Sequence, residues 1–427
     1  MAQFPKGFLW GAASASYQIE GGVKEGGRGE SVWDAFSHTP GKVKNGDTGD
    51  RAADSYHRWR EDVQLLKDMG LGAYRFSLAW PRVAPRGDEN WNAAGLAYYD
   101  GLVDALLDAG IEPWVTLYHW DLPQALQDKG GWQNGDTARA YAAYAAKMGA
   151  HFKGRVTRWI TFNEPQCFVG LGYGSGEHAP GLRLRAEDQM LCWENMLAAH
   201  RLAVRALREI DGENRIGLAS CGGVSCPASD SPEDVEAARR HMFPEDGVFR
   251  GFSHDSLLDP LCLGEGDGRP DFIGLNIYHG AVVRMGEDGP EECRYPVGGP
   301  RTAMGWPVEP QSLEWGPRFV YERYGLPLYI TENGLSCRDW VSLDGKVHDP
   351  GRIDFLARYL RALSAGIAAG ADVRGYFHWA LTDNFEWAEG YDQRFGLVYV
   401  DYSTGERIPK DSAAWYRKVA ASGGAEA

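Results

Sequence analysis

Short apolar segments alternate with longer amphipathic segments along most of the chain, and this alternation restricts the fold more than any other feature. The amphipathic segments carry apolar residues three and four positions apart, as at Tyr56, Trp59, Val63 and Leu66, which predicts helices. Strands that alternate with helices form parallel sheets with crossover connections. Eight such apolar segments fit a closed barrel better than an open sheet. We therefore expect an α/β fold, a single (β/α)8 TIM barrel over residues 1–427, with its active site at the carboxyl ends of the strands.

The segments between these patterns were assigned from their turn residues and polarity. We interpret Ser14–Gly22 as a loop, Gln166–Pro180 as too Gly-rich and polar for a regular element, and His279–Pro310 as a long loop. A helical region is predicted roughly between Pro232 and Leu258. The predicted strands are Phe8–Ala13, Gly72–Trp80, Pro113–Trp120, a fourth ending at Glu164, Ile216–Ser220, Phe272–Tyr278, a seventh ending at Glu332, and Gly375–Leu381.

Charge and hydropathy argue against several classes of protein. The formal net charge is -15 and the isoelectric point is about 5.2, whereas a nucleic-acid-binding protein would present a basic patch. No apolar run approaches the length of a membrane span, and the amino terminus lacks the basic and apolar regions of a secretory signal. We therefore expect no nucleic-acid partner, no membrane partner and a cytoplasmic location.

Cysteine usage supports the same location. The seven cysteines are scattered and form no CxxC pair, which argues against a zinc ribbon or a redox motif and fits free thiols in a reducing compartment. No group of His, Cys and carboxylate residues has the spacing of metal ligands along the sequence. We therefore expect neither a metal nor a cofactor.

Two predicted strands end in an Asn–Glu or Glu–Asn pair. Glu164 follows Asn163 in Trp159–Pro165, and Glu332 precedes Asn333 and a Gly turn. A carboxylate at the end of a buried strand is not placed for packing, so both carboxylates are expected to face one cavity. Other polar or aromatic residues at predicted strand ends would surround them; these are Arg75, His119, Asn163, Asn276, Tyr278 and Trp379.

Two carboxylates among amides, hydroxyls and aromatic rings fit glycoside hydrolysis. This reaction needs one carboxylic acid to protonate the leaving oxygen and one carboxylate opposite the anomeric carbon. Proximity raises the pKa of the acid, because two like charges in a dry site resist coexisting. The other carboxylate must stay ionised, for which Arg75 would supply a cation. We assign Glu164 as the acid and base and Glu332 as the nucleophile.

Six motifs together resemble glycoside hydrolase family 1, in order and over essentially the whole chain. They are Phe8–Gly21, Tyr118–Pro123, Thr161–Pro165, Gly176–Gly181, Ile330–Gly334 and Asp383–Tyr391. The resemblance implies a retaining β-glycosidase that uses Glu164 as acid/base and Glu332 as nucleophile. It also implies the remaining roles: Gln18, His119, Asn163, Glu386 and Trp387 on the sugar hydroxyls, Trp379 under the ring, Trp306 on the leaving-group side, and Arg75, Asn276 and Tyr278 around the carboxylates.

The substrates expected from this resemblance are small β-glucosides and short oligosaccharides. Glu386 would accept hydrogen bonds from a neutral sugar but repel a 6-phosphosugar, so we favour β-glucosides over phosphoglucosides. A β-galactosidase or β-fucosidase of the same family, and an enzyme that mainly transfers glucose to another sugar, remain alternatives. A non-catalytic sugar-binding barrel is a further alternative, but it would need neither Glu164 nor Glu332. The oligomeric state is left open.

Two positions depart from the family pattern. Many members carry Trp after Asn–Glu–Pro, where this chain has Gln166. At the end of the fifth strand, where an Asn is expected, the chain reads Ser220–Cys221–Gly222–Gly223. Both positions are expected on the leaving-group side, so they bear on the preferred leaving group and on the balance between hydrolysis and transfer, not on the chemistry.

Overall fold

The computed structural model describes residues 2–264 and 266–427. Within these residues, eight parallel strands close into one barrel, which confirms the predicted (β/α)8 fold. Each strand pairs with its neighbours in chain order, and the first strand closes the ring by pairing with the eighth. The barrel strands are Leu9–Ala13, Ala73–Ser77, Glu112–Tyr118, Arg158–Asn163, Arg215–Ser220, Phe272–Asn276, Leu328–Asn333 and Val373–Trp379.

Register shifts occur toward the carboxyl ends of the fourth strand, which precedes Glu164, and of the seventh strand, which contains Glu332. The fourth and fifth strands lose their regular register between Ile160 and Asn163. The seventh strand shifts against the sixth between Ile330 and Glu332, and again against the eighth before Asn333. Such irregularities bend a strand and redirect its side chains. Here they lie where Glu164 and Glu332 leave the barrel wall.

Aromatic side chains fill the barrel interior below the site. Trp114 is fully buried, and its ring centroid lies 4.6 Å from that of Tyr329, 5.1 Å from that of Phe377 and 5.3 Å from that of Phe272. Tilted and edge-on ring pairs at these distances are favourable beyond the apolar area that they bury. The interior is therefore a packed core, and it supports the strand ends above it.

The helices lie around this barrel and account for most of the predicted amphipathic patterns. The α-helices are Ser16–Ile19, Val32–Ser37, Ser55–Asp68, Trp80–Val83, Ala93–Asp108, Gln124–Gln127, Gly135–His151, Pro165–Cys167, Ala186–Ile210, Pro232–Met242, His254–Leu258, Ser312–Tyr324, Pro350–Ala368 and Asp411–Ala421. Short strands outside the barrel form two small sheets, Ser225–Pro227 with Ala281–Gly286 and Gly289–Glu292, and Val398–Val400 with Arg407–Pro409.

Three segments predicted to be irregular contain regular structure. The segment Gln166–Pro180 includes the end of a short helix and a π-helical stretch, Phe168–Ser175, because burial of Phe168, Val169 and Tyr173 outweighs its glycine content. The loop Ser14–Gly22 contains the buried helix Ser16–Ile19. The loop His279–Pro310 contains an antiparallel hairpin, with Gly286 opposite Gly289 at its turn.

Other boundaries differ for local reasons. The second strand ends at Ser77, and Pro81 lies in the first turn of the helix Trp80–Val83, a position that proline favours, instead of closing a strand. The helical region from Pro232 to Leu258 is two helices separated by residues 243–253. The helix Ser312–Tyr324 was not predicted, because Pro317 lies inside it; its buried Leu313, Phe319 and Val320 hold it against the barrel.

Within residues 2–264 and 266–427, no helix is both long enough and apolar enough to cross a lipid bilayer.

Candidate active site

A cavity of about 870 Å³ opens at the carboxyl ends of the barrel strands. Its wall combines carboxylates, amides and aromatic rings, as the sequence predicts for this edge of the barrel. The predicted site residues that line it are His119, Glu164, Asn276, Tyr278, Trp306, Glu332, Trp379, Glu386 and Trp387. Three others, Gln18, Arg75 and Asn163, are fully buried directly behind the wall and form hydrogen bonds to the lining residues.

Glu164 lies one residue beyond the fourth strand, in an unusual backbone conformation. Its φ of 45° is left-handed, a region that non-glycine residues rarely occupy and that is often found at functional sites. The short helix Pro165–Cys167 begins immediately after it. The side chain is buried, and the amide nitrogen of Asn276 donates a 2.8 Å hydrogen bond to its Oε1.

Glu332 occupies the end of the seventh strand and is held by stronger donors. The Arg75 guanidinium donates to its Oε1 at 2.7 Å, and the Tyr278 hydroxyl donates to its Oε2 at 2.6 Å. Arg75 is fully buried, and it also donates to the Thr331 carbonyl at 2.9 Å and to Asn163 Oδ1 at 2.5 Å. A buried guanidinium with this many acceptors is fixed in place and favours a charged partner.

These surroundings separate the protonation states of the two carboxyls. Burial, and then the charge of Glu332, raise the pKa of Glu164 to about 8. Burial also raises the pKa of Glu332, but the Arg75 guanidinium and the Tyr278 hydroxyl oppose this rise. Among the described residues, Arg75 contacts Glu332 directly and no cation contacts Glu164, so a proton shared between the pair resides on Glu164. Within this pair, Glu164 is therefore the acid and Glu332 the carboxylate at neutral pH.

Three rings form a flat wall beside the carboxylates. The His119 ring is nearly parallel to those of Trp379 and Trp387, with centroids 5.8 and 5.9 Å away. His119 Nε2 lies 3.0 Å from the Asn163 side-chain nitrogen. This arrangement offers apolar faces for a sugar ring and polar edges for its hydroxyls.

Two buried polar atoms in this wall have no hydrogen-bond partner among the described residues: Gln18 Oε1 and His119 Nδ1. The amide nitrogen of Gln18 is fully used, since it donates to Asn384 Oδ1 at 3.1 Å and to the Phe385 carbonyl at 2.9 Å. Buried polar atoms in native proteins are almost always satisfied, so these two require a hydrogen-bonding ligand or water.

Glu386 is a third carboxyl of the cavity, and its side chain is half-buried. Burial, followed by the charges of Glu332 and Glu164, raises its pKa to about 8. Gln18 Nε2 lies 3.4 Å from its Oε2, which is a long hydrogen bond. A hydroxyl-bearing ligand would supply the donors that this carboxyl lacks.

Trp306 lies toward the mouth of the cavity, on the side of Tyr278. Its ring centroid is 5.3 Å from that of Tyr278 and 6.2 Å from that of Phe395. Phe395 and Trp120 also line the cavity, and neither was predicted from the sequence to be a site residue. The Trp120 indole donates 2.9 Å to the Asn163 carbonyl, and its position within Tyr118–Pro123 was the available signal.

The two departures from the family pattern contact each other. The Gln166 amide nitrogen donates to Ser220 Oγ at 2.9 Å and to the Ser253 carbonyl at 3.2 Å. Beside them, Cys167 Sγ and Cys221 Sγ lie 3.5 Å apart, and both residues line the cavity. The expectation of no metal rested on spacing along the sequence alone. Folding brings donor atoms of Glu164, Cys167 and Cys221 within 4.8 Å of one another, a grouping that such spacing does not reveal.

Comparisons with known proteins agree with this geometry. The sequence matches Glycosyl hydrolase family 1 over residues 1–265 and 264–425. Beta-glucosidase A of Thermotoga maritima is 44% identical, with 99% of each chain covered, and a 1,4-beta-D-glucan glucohydrolase of Thermotoga neapolitana is 43% identical, again with 99% of each covered. The solved structure of a Thermotoga maritima beta-glucosidase in complex with deoxynojirimycin matches with a TM-score of 0.90 and 43% identity, covering 99% of this chain and 100% of that one.

Proposed function

The chain belongs to glycosyl hydrolase family 1, and on that basis we propose that it is a retaining exo-β-glucosidase that removes terminal, non-reducing β-D-glucosyl residues. The observation that carries the proposal is the unequal environment of two buried carboxyls in one cavity. Glu332 accepts hydrogen bonds from the Arg75 cation and from Tyr278, whereas Glu164 accepts one from the neutral Asn276 amide and has a raised pKa. We further propose that residues 1–427 act as one catalytic domain.

The reaction proceeds in two displacements. Glu332 attacks the anomeric carbon while Glu164 protonates the departing oxygen, so a glycosyl–enzyme ester forms and the aglycone leaves as an alcohol. Glu164, now ionised, takes a proton from water, and the resulting hydroxide equivalent displaces Glu332 and returns the β configuration. In this mechanism the two carboxyl groups stand about 5–5.5 Å apart. Arg75 and Tyr278 keep Glu332 ionised before attack.

The glucosyl unit occupies the inner end of the cavity. Gln18 Oε1, which has no partner within the described residues, and Glu386, which is weakly paired there, accept its hydroxyl protons. His119 Nδ1 donates instead, because Nε2 accepts from the Asn163 amide nitrogen and burial lowers the pKa of the ring, so the one proton of the neutral imidazole lies on Nδ1. Asn163 and the Trp387 indole complete the polar contacts. Trp379 lies against the apolar face of the sugar ring. The unsatisfied acceptors support a hydroxylated neutral ligand in particular.

The substrate range follows from the same groups. Glu386 supplies hydrogen-bond acceptors for hydroxyls but no positive charge for a 6-phosphate, which supports neutral β-glucosides. Trp306 offers an apolar platform for the leaving group, including the second glucose of cellobiose and of other short β-linked oligosaccharides. The 1,4-beta-D-glucan glucohydrolase among the relatives supports such substrates. Glucose transfer to a sugar bound on Trp306, in competition with water, is compatible with this site.

We also propose a cytoplasmic location. All seven cysteines are unpaired in the described part of the chain, two of them 3.5 Å apart, which is a state that a reducing compartment maintains.

A substrate panel that varies the sugar and the leaving group separately tests the function. We expect kcat/KM for aryl β-glucoside to exceed that for aryl β-galactoside, and 6-phosphoglucoside to be the poorest substrate. Higher turnover of β-galactoside or β-fucoside than of β-glucoside would replace the glucosidase proposal with that alternative. Absence of turnover with every β-glycoside would leave only a sugar-binding protein.

A further inference from the structure

Two thiols stand beside the catalytic acid without a role in the mechanism. Cys167 is three residues after Glu164 in the same turn, and Cys221 follows the fifth strand, 54 residues farther along the chain. Both side chains are half-buried and face the cavity. Their sulfur atoms lie 3.5 Å apart, and the donor atoms of Glu164, Cys167 and Cys221 are all within 4.8 Å of one another.

This separation suits two ligands of one tetrahedral metal ion. Zinc–thiolate bonds of about 2.3 Å place the two sulfurs of a tetrahedral site about 3.8 Å apart. A disulfide would need the sulfurs to approach to about 2.05 Å. Glu164 supplies a third donor, an oxygen, which a metal ion can use and a disulfide cannot. The open cavity leaves room for water as the fourth ligand.

Surrounding hydrogen bonds hold the two thiols in position. Gln166 links the two backbone segments, because its amide nitrogen donates 2.9 Å to Ser220 Oγ and its Oε1 lies 3.8 Å from the Cys221 sulfur. Ser220 Oγ in turn lies 2.9 Å from Nδ1 of the fully buried His254. The positions that depart from the family pattern are thus the ones that build this corner.

We propose that Glu164, Cys167 and Cys221 bind a thiophilic divalent cation, of the class of Zn²⁺ and Cd²⁺, and that its binding inhibits the enzyme. Thiolate ligands select such ions over Mg²⁺ and Ca²⁺, which require oxygen ligands. Binding releases the thiol protons to solvent. A metal-bound Glu164 carboxylate can neither protonate a leaving oxygen nor accept a proton from water. The proposal that the bound metal inhibits the enzyme rests on the proposed acid/base role of Glu164. The proposal that the metal binds does not.

Cadmium binding tests the site without any need for turnover. Cd²⁺ is titrated into the reduced protein under anaerobic conditions, and the ultraviolet thiolate-to-metal charge-transfer band is followed. We expect the band to saturate at one Cd²⁺ per chain. It should be lost in Cys167→Ser and in Cys221→Ser. It should be kept in the control Cys293→Ser, which replaces a half-buried cysteine outside the group. Thermal unfolding midpoints identify any serine variant that does not fold, and the alanine variant at the same position then replaces it. Absence of the band, or an equal band in Cys167→Ser and Cys221→Ser, would overturn the proposal.

Zinc inhibition of aryl β-glucoside hydrolysis tests the consequence. Each variant is compared with its own metal-free rate. Loss of a residue that merely orients a metal ligand already costs about 10- to 100-fold in affinity, so we expect either cysteine variant, which lacks a ligand, to need at least that much more Zn²⁺ than wild type for half inhibition. EDTA should restore the wild-type rate without a reductant. Recovery only with a reductant would mean that the thiols oxidise, which contradicts metal binding. If Cd²⁺ produces the band but saturating metal leaves hydrolysis unchanged, the metal binds without inhibiting, and the proposed inhibition is refuted.

Discussion

At the scale of single residues, Glu164 and Glu332 are the same amino acid with different surroundings. The sequence predicted that both would face one cavity, because each ends a buried strand beside an asparagine. It identified Arg75 only as a nearby cation. The 2.7 Å contact between Arg75 and Glu332, and the neutral Asn276 amide on Glu164, result from folding. The pairing of Cys167 with Cys221 was likewise inaccessible, because the two residues come from different barrel segments.

Loss of the acid should depend on the leaving group. Glu164→Ala is expected to lower the glycosylation rate on cellobiose by about 10²- to 10⁴-fold, the usual contribution of general acid catalysis. An activated dinitrophenyl glucoside, whose leaving group needs no protonation, should suffer far less in kcat/KM. The measurement is kcat/KM over a series of aryl glucosides. Equal losses across the series would contradict the role of Glu164 as acid.

The pH profile should reflect the raised pKa of Glu164. In the proposed mechanism glycosylation requires this carboxyl to be protonated, so kcat/KM is expected to fall as the pH rises through about 8. The pH dependence of kcat/KM on a poor substrate measures this, since kcat/KM reports the free enzyme. In Glu164→Gln the residual activity should lack this alkaline limb. A wild-type profile that stays flat well above this pH would show that another group is the acid.

At the scale of elements, hydrophobic periodicity was sufficient for the eight barrel strands and most helices. It failed where tertiary contacts override local preference. The π-helical Phe168–Ser175 is Gly-rich but buries its aromatic residues, and Ser312–Tyr324 contains Pro317. The strand ends were predicted within a few residues, which was sufficient to place the site but not to orient its side chains.

The turn after the seventh strand should not tolerate a side chain. A β-carbon at Gly334 would collide with the carbonyl oxygen of Trp379, so the segment carrying Glu332 would be pushed from the eighth strand. We expect Gly334→Ala to cost about 1–3 kcal/mol of unfolding free energy and most of the activity. At Gly212 an added β-carbon would meet no described residue other than its chain neighbours within 4 Å, so Gly212→Ala is the matched control and should stay within about 0.5 kcal/mol. Denaturant unfolding measures the stability of the two variants, and aryl glucoside turnover measures their activity. Equal stability and activity of Gly334→Ala and Gly212→Ala would refute the packing argument.

At the scale of the whole molecule, buried charges tie the last helix to the active-site end of the barrel. Lys410, just before Asp411–Ala421, is buried and donates to Asp339 Oδ2 at 2.6 Å and to Asp383 Oδ1 at 2.7 Å. Asp383 opens the motif that contains Glu386. Sequence periodicity could predict the helix but not these contacts, because they join residues far apart in the chain.

The cavity carboxyls should also lower global stability at alkaline pH. The pKa of Glu386 is raised from its ordinary value of 4.5 to about 8 in the folded state. The folded protein thus retains a proton that the unfolded chain has lost, and stability falls as the pH rises from about 4.5 to about 8. Glu386→Gln removes this dependence. We expect it to be more stable than wild type above pH 8, on the order of a few kcal/mol, and similar at pH 4.5.

Thermal unfolding across this pH range measures the effect. Glu213→Gln, which replaces an exposed carboxylate, serves as the control and should follow wild type. If the difference in stability between wild type and Glu386→Gln is the same at every pH, Glu386 does not hold a proton in the folded protein.

The assignment of Glu332 as nucleophile is tested most directly by trapping the covalent intermediate. An activated 2-deoxy-2-fluoro-β-glucoside forms the glycosyl–enzyme ester but slows its hydrolysis, and peptide mass spectrometry then locates the sugar. We predict one fluoroglucosyl group per chain, attached to Glu332 and absent in Glu332→Ala. A label on Glu164 or on another residue, or full hydrolysis with no labelled peptide, would contradict the assignment.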